Sequence, residues 1–77
     1  MAKEVVWRGR TPRGFPFTVE REGNPTRWVV TVLGAVRCRD CVLSTALGNA
    51  VALAPTSLWV RHVASLILER SERPQGC

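Results

Sequence analysis

Two cysteines with two residues between them, Cys38 and Cys41, form the motif with the clearest chemical meaning in the sequence. A pair of this spacing that follows a strand and opens a helix is typical of thiol–disulfide oxidoreductases, in which the helix N-terminus lowers the thiol pKa. Those proteins build the pair into a βαβ unit, whereas here strand-like segments precede it in hairpin fashion. We therefore predict that Cys38 or Cys41 packs as a small apolar residue and that the pair performs no redox chemistry.

A zinc site is the second chemistry that this pair suggests, and it would need two further ligands. His62 and Cys77 are the remaining residues of the preferred type, with 20 residues between Cys41 and His62 and 14 between His62 and Cys77. Structural zinc modules use shorter and more regular spacings. The sequence therefore predicts no metal site, and an odd number of three cysteines argues against a disulfide framework.

Groups that could catalyse a reaction are scarce. His62 is the only histidine, and the six carboxylates do not combine with it or with a serine or cysteine at a supportive spacing. Gly9 and Gly14 fall in a strand and a turn, so no glycine-rich loop lies between a strand and a helix, where it would hold a phosphate. We predict a protein that is not an enzyme and needs no cofactor.

Arginine dominates the basic residues, with ten arginines beside the single Lys3 and a formal net charge of +5. The planar guanidinium suits phosphates and guanine edges, which favours an acidic partner such as nucleic acid. A GC-rich genome would supply the same arginines without any functional reason. They form no continuous basic run, so only folding can gather them. The candidate nucleic-acid-binding residues are Arg8, Arg10, Arg13, Arg27, Arg37 and Arg39.

The elements that must position these arginines begin with strands. Residues 5–8 alternate, residues 11–14 have turn chemistry, and residues 15–21 place Phe15, Phe17 and Val19 on one face at a period of two. Residues 27–33 are rich in tryptophan and β-branched side chains and predict a central strand. Residues 35–39 predict a short fourth strand.

From Asp40 the period changes to that of helices. Asp40 is the predicted N-cap of a first helix that ends near Leu53, and Pro55 is placed at or near the first turn of a second. On the second helix, Trp59, Val63, Leu66 and Ile67 are predicted to line one face, with Leu58, Val60 and Leu68 off the stripe. Residues 41–60 carry no charge, but their polar residues and Pro55 favour two short helices over a membrane span.

These elements predict an α+β fold: a three- or four-stranded antiparallel sheet followed by two short helices packed on one face, in two layers. We expect one domain over residues 1–70 and a flexible tail over residues 71–77. The first residues contain no apolar stretch of the length that a secretory signal needs, so we expect a cytoplasmic protein without membrane contact.

Two functions remain open. The first is a small regulatory protein that contacts DNA or RNA through arginines of the sheet; a helix-turn-helix over residues 53–63 is a weaker form of it, because Leu58, Trp59 and Val60 would face the bases. The second is a homodimeric interaction or accessory module whose apolar helices and tryptophans (Trp7, Trp28 or Trp59) bind a partner protein. We predict a homodimer, because a core this small leaves apolar helix surface to cover, and its interface residues are Trp59, Val63, Leu66 and Ile67.

Overall fold

Strands come first in the chain and helices follow, as shown by a computed structural model that describes residues 3–23 and 27–71. The elements are β1 (Lys3–Arg10), β2 (Pro16–Glu22), β3 (Arg27–Val32), β4 (Ala35–Asp40), α1 (Leu43–Val51) and α2 (Leu58–Ser71). Neighbouring strands pair antiparallel in the order β1-β2-β3-β4. The predicted α+β fold is confirmed, with four strands in the sheet.

Two connections lie at the same end of the sheet. Residues 11–15 join β1 to β2, with the Thr11 amide donating to the Phe15 carbonyl at 2.8 Å. Only Leu33 and Gly34 join β3 to β4, and both have positive φ, the backbone that two-residue hairpin turns require. We call this the Arg10 end, after the last residue of β1. The opposite end, where β2 finishes, is the Glu22 end.

The core lies between the inner face of the sheet and the two helices. Period-two alternation turns Phe17 and Val19 of β2 inward beside Val32 and Val30, their partners on β3. The other buried members of the cluster are Trp28, Leu43, Ala46, Leu47, Val60, Val63, Ala64 and Ile67. The sheet therefore has one covered face and one face that no described element covers.

The buried stripe of α2 differs from the predicted one. Val60 is fully buried, whereas the prediction placed it off the stripe, and Leu66 is only half-buried. Val60, Val63 and Ile67 lie at the spacing of one helix face. Trp59 packs its edge against Phe17, with ring centroids 5.7 Å apart, so the large indole covers the border of the core.

Both helices begin later than predicted. Val42 is the N-cap of α1, without a side-chain hydrogen bond, and the Asp40 carboxylate instead accepts from the Val42 amide at 2.9 Å. Asp40 therefore shapes the turn before the helix, and its prediction as the N-cap is wrong. At α2 the Ser57 hydroxyl accepts from the Val60 amide at 3.2 Å, so the helix starts three residues after Pro55.

The uncharged stretch of residues 41–60 is divided between α1, a turn and the first residues of α2. In residues 3–23 and 27–71 no helix is long and apolar enough to cross a membrane. Ser71 belongs to α2. The remainder of the predicted tail, residues 72–77, lies outside the described residues.

Candidate nucleic-acid interface

The uncovered face of the sheet carries the residues that alternate with the core. On β2 these are Thr18, Glu20 and Glu22, and they pair across β3 with Thr31, Val29 and Arg27. Val29 is fully buried although it lies outside the core cluster, and its neighbours across the strands are Glu20 and Arg39. The aliphatic parts of these long neighbouring side chains therefore cover Val29 on the open face.

Two of the six predicted arginines project from β1 onto the open face. Arg8 pairs with Thr18, which in turn faces Thr31, so one cationic and two hydroxyl groups share a row across three strands. Arg10 lies two residues further along and pairs with Pro16; its Nη1 donates to the Gly14 carbonyl at 2.9 Å. Both arginines are exposed.

Arg13 and Arg37 lie at the same end of the sheet but face its helix side. Arg13 belongs to the connection between β1 and β2, and Arg37 sits at an irregularity in the pairing of β3 with β4. Both line one groove beside the C-terminus of α1. Residues 8–18 and 31–37 contain four arginines and no aspartate or glutamate, and none of the four arginines forms an ion pair among the described residues.

The last two predicted arginines lie at the Glu22 end, among carboxylates. Arg39 Nε donates to Glu22 Oε1 at 3.0 Å, and Arg27 stands directly opposite Glu22 in the β2–β3 register. Glu20 lies in the row beside them. The structure thus brings Arg8, Arg10, Arg13 and Arg37 to one end and separates Arg27 and Arg39 from them.

The structural role of Arg21 was not predicted from the sequence. Only 7% of it is exposed, its Nη2 donates to Glu4 Oε2 at 3.1 Å, and its guanidinium lies 5.7 Å from the Trp28 ring centroid. Within the described residues its Nε has no hydrogen-bond partner. A signal was available, because Arg21 continues the inward phase of Phe17 and Val19 on β2.

The two cysteines of the pair differ in the structure: Cys38 packs against the core as a free thiol, and Cys41 forms a disulfide, which the odd number of cysteines did not predict. Cys38 is a half-buried free thiol that faces Val30, with Asn49 Nδ2 3.9 Å from its sulfur. Cys41 is disulfide-bonded, so the two cysteines of the motif are not bonded to each other. No group of three or more metal-binding side chains occurs in residues 3–23 and 27–71. His62 is exposed on α2, and Cys77 lies outside the described residues.

The four predicted interface residues do not share one surface. Val63 and Ile67 are buried in the core of their own chain, Trp59 contacts Phe17, and Leu66 is half-buried. The most exposed apolar side chain of the described residues is Leu58, at 85%. The homodimer and the role of these residues in it stay predictions.

Comparison with known proteins adds no assignment. No protein-family model, no curated protein and no solved structure matches the chain. The function proposed below is therefore argued from the geometry of the described residues.

Proposed function

We propose that the protein is a non-catalytic nucleic-acid-binding protein that uses the Arg10 end of its open sheet face. The observation that carries this proposal is the uncompensated charge of Arg8 and Arg10, beside the hydroxyl groups of Thr18 and Thr31. Successive outward residues of a strand lie about 7 Å apart, so the two guanidinium groups can reach neighbouring backbone positions of one nucleic-acid strand. The geometry thus supports a row of phosphate contacts.

The chemistry of this face favours phosphates over bases. Guanidinium groups bind phosphate oxygens with two parallel hydrogen bonds, and threonine hydroxyl groups donate to the same oxygens. The aromatic residues of strands β1–β4, Trp7, Phe17 and Trp28, have their register partners on the inner face. Single-stranded nucleic acids are usually bound by stacking on aromatic rings, which the described open face does not offer. We therefore expect binding that depends on the sugar-phosphate backbone and varies little with sequence.

The Glu22 end limits the footprint. Glu20 and Glu22 would repel phosphates, and Arg39 is already held by Glu22. Arg8 and Arg10, the two arginines of the open face at this end, would release counterions from about two phosphates, which corresponds to a slope of log affinity against log salt of about −2 or smaller in magnitude. A small footprint of this kind gives weak binding at physiological salt and measurable binding at low salt.

The test is a salt titration of binding to a fluorescently labelled DNA duplex, a single strand of the same sequence and an RNA duplex. The double variant Arg8→Gln with Arg10→Gln should reduce the salt slope by about two and abolish most low-salt binding. The matched control, Arg27→Gln with Arg39→Gln, removes the same charge from the same face at the Glu22 end and should change the slope by less than about one. Absence of low-salt binding by the unmodified protein, or equal losses in both double variants, would refute the proposal.

A further inference from the structure

A groove of about 560 Å³ lies on the helix side of the Arg10 end. Its walls are the connection between β1 and β2, the turn between β3 and β4, and the last residues of α1 with the two that follow. The volume is within the range of small-ligand sites, which is about 300 to 1,000 Å³. Because α1 forms one wall, the groove lies on the helix side of the sheet and not on the face proposed for nucleic acid, so its occupant need not be the same.

The lining combines apolar surface with positive charge. Val32, Val51 and Leu53 contribute aliphatic groups, and Phe15 and Leu33 stay 43% and 56% exposed at the groove. Such side chains gain from a partner that removes them from water. The charged residues of the lining are Arg13 and Arg37.

No described residue neutralises either arginine. In the described part of the chain, Arg13 and Arg37 form no ion pair, and the lining contains no carboxylate. Arg21 and Arg39, at the Glu22 end, are each paired with a glutamate. The described rim of this groove therefore carries positive charge only, and an anionic group of a ligand would complement it.

Backbone strain is concentrated at the same place. Leu33 and Ala52, with φ of 54° and 59°, are the non-glycine residues of positive φ among those described, and both line the groove. Such conformations are unfavourable for residues with a Cβ, and Ala52 adopts its own as the left-handed residue that ends α1. Leu33 is the more informative of the two, because the turn would accept Asn or Gly in its place.

We propose that the groove binds a small organic carboxylate with an apolar body. The carboxylate is held by Arg13 and Arg37, and the apolar part covers Phe15, Leu33 and the aliphatic lining. The assignment stands without the nucleic-acid proposal, because it concerns a different surface and different arginines.

Three probes of equal chain length test the assignment: octanoate, octan-1-ol and octylammonium, each titrated into the full ¹⁵N-labelled chain and followed by amide chemical shifts. We expect saturable shifts at residues 33–37 and 49–53, with octanoate binding about fivefold more tightly than octanol and octylammonium weakest. Equal affinities for the three probes, or shifts centred elsewhere, would overturn the proposal.

Variants separate the two arginine pairs. Arg13→Gln with Arg37→Gln should reduce octanoate affinity to about that of octanol and leave octanol binding unchanged. Arg8→Gln with Arg27→Gln carries the same charge change on the open face, away from the groove, and should leave octanoate binding unaltered. If both doubles lose octanoate equally, net charge explains the binding and the site is wrong. If an acetylated Leu-Glu-Glu amide peptide binds the groove more than about tenfold tighter than octanoate, a protein partner replaces the small ligand.

Discussion

The two ends of the sheet use the same residue type for different purposes. At the Glu22 end, Arg21 is buried against Trp28 and paired with Glu4, and Arg39 is paired with Glu22. At the Arg10 end, none of the four arginines forms an ion pair within residues 3–23 and 27–71. Arg21 contributes to the fold through its burial and its ion pair, whereas the four arginines of the Arg10 end form no ion pair among the described residues and repel one another. The net charge of the chain conceals this division.

Removal of Arg21 should change the free energy of unfolding more than any other substitution considered. It tests the difference between the two ends of the sheet most directly. Arg21→Ala removes a buried side chain that packs on Trp28, and we expect a loss of about 2 to 3 kcal/mol in the free energy of unfolding. Arg21→Met keeps most of the volume and should stay within about 1 kcal/mol of the parent, because Nε has no partner among the described residues. Urea denaturation measures both. Arg8→Ala, the control from the Arg10 end, should change stability by less than about 0.5 kcal/mol. A similar loss in Arg8→Ala would contradict the division.

The helix that forms one wall of the groove depends on a close backbone approach. A Cβ at Gly48 would lie 2.8 Å from the Leu53 carbonyl oxygen and 3.0 Å from the Pro55 nitrogen. Gly48→Ala should therefore cost about 2 kcal/mol, although alanine ordinarily favours a helix over glycine by about 1 kcal/mol. Asn49→Ala, at the exposed neighbouring position, should stay within about 0.5 kcal/mol. Thermal and urea unfolding of both variants decide the sign, and a stabilised Gly48→Ala would show that the approach is looser.

The elements of the fold were predictable because periodicity decides them. Alternation in residues 15–21 and the β-branched run of residues 27–33 correspond to β2 and β3, and the α+β class followed from the change of period after Asp40. The sequence did not reveal which arginines meet carboxylates, because that depends on strand register, and a shift of one residue moves every side chain to the other face.

The predicted N-cap of α1 and the predicted buried stripe of α2 were wrong for a similar reason. Asp40 has the chemistry of an N-cap, but β4 continues through it, so its carboxylate reaches the Val42 amide before the helix has begun. The predicted buried stripe of α2 contained Trp59 and left out Val60. Trp59 instead covers the border of the core beside Phe17, and Val60 takes the buried position. The groove could not be predicted from the sequence, because the residues that line it come from segments far apart in the chain.

A smaller effect of opposite sign is expected at the β3–β4 turn. Leu33 adopts a positive φ before Gly34, in a turn that favours Asn-Gly. Leu33→Asn should raise the free energy of unfolding by about 0.5 to 1 kcal/mol, because the left-handed conformation is less costly for asparagine. The same change should weaken octanoate binding by removing apolar surface from the groove. Leu33→Ala keeps the strain and should weaken binding without the gain in stability. A destabilised Leu33→Asn would mean that the leucine side chain contributes more than its exposure suggests.

The smallest expected effect is a change in affinity for nucleic acid after a substitution at the Glu22 end of the sheet. Glu22→Gln removes the carboxylate that holds Arg39 and faces Arg27, so both guanidinium groups become available to phosphate. We expect low-salt affinity for duplex DNA to rise about threefold and the salt slope to steepen by about one. Glu69→Gln makes the same change in net charge on an exposed position of α2 and should leave both quantities nearly unchanged. Equal gains in the two variants would mean that overall charge governs binding; a gain confined to Glu22→Gln would mean that carboxylates on the open face limit where nucleic acid can lie.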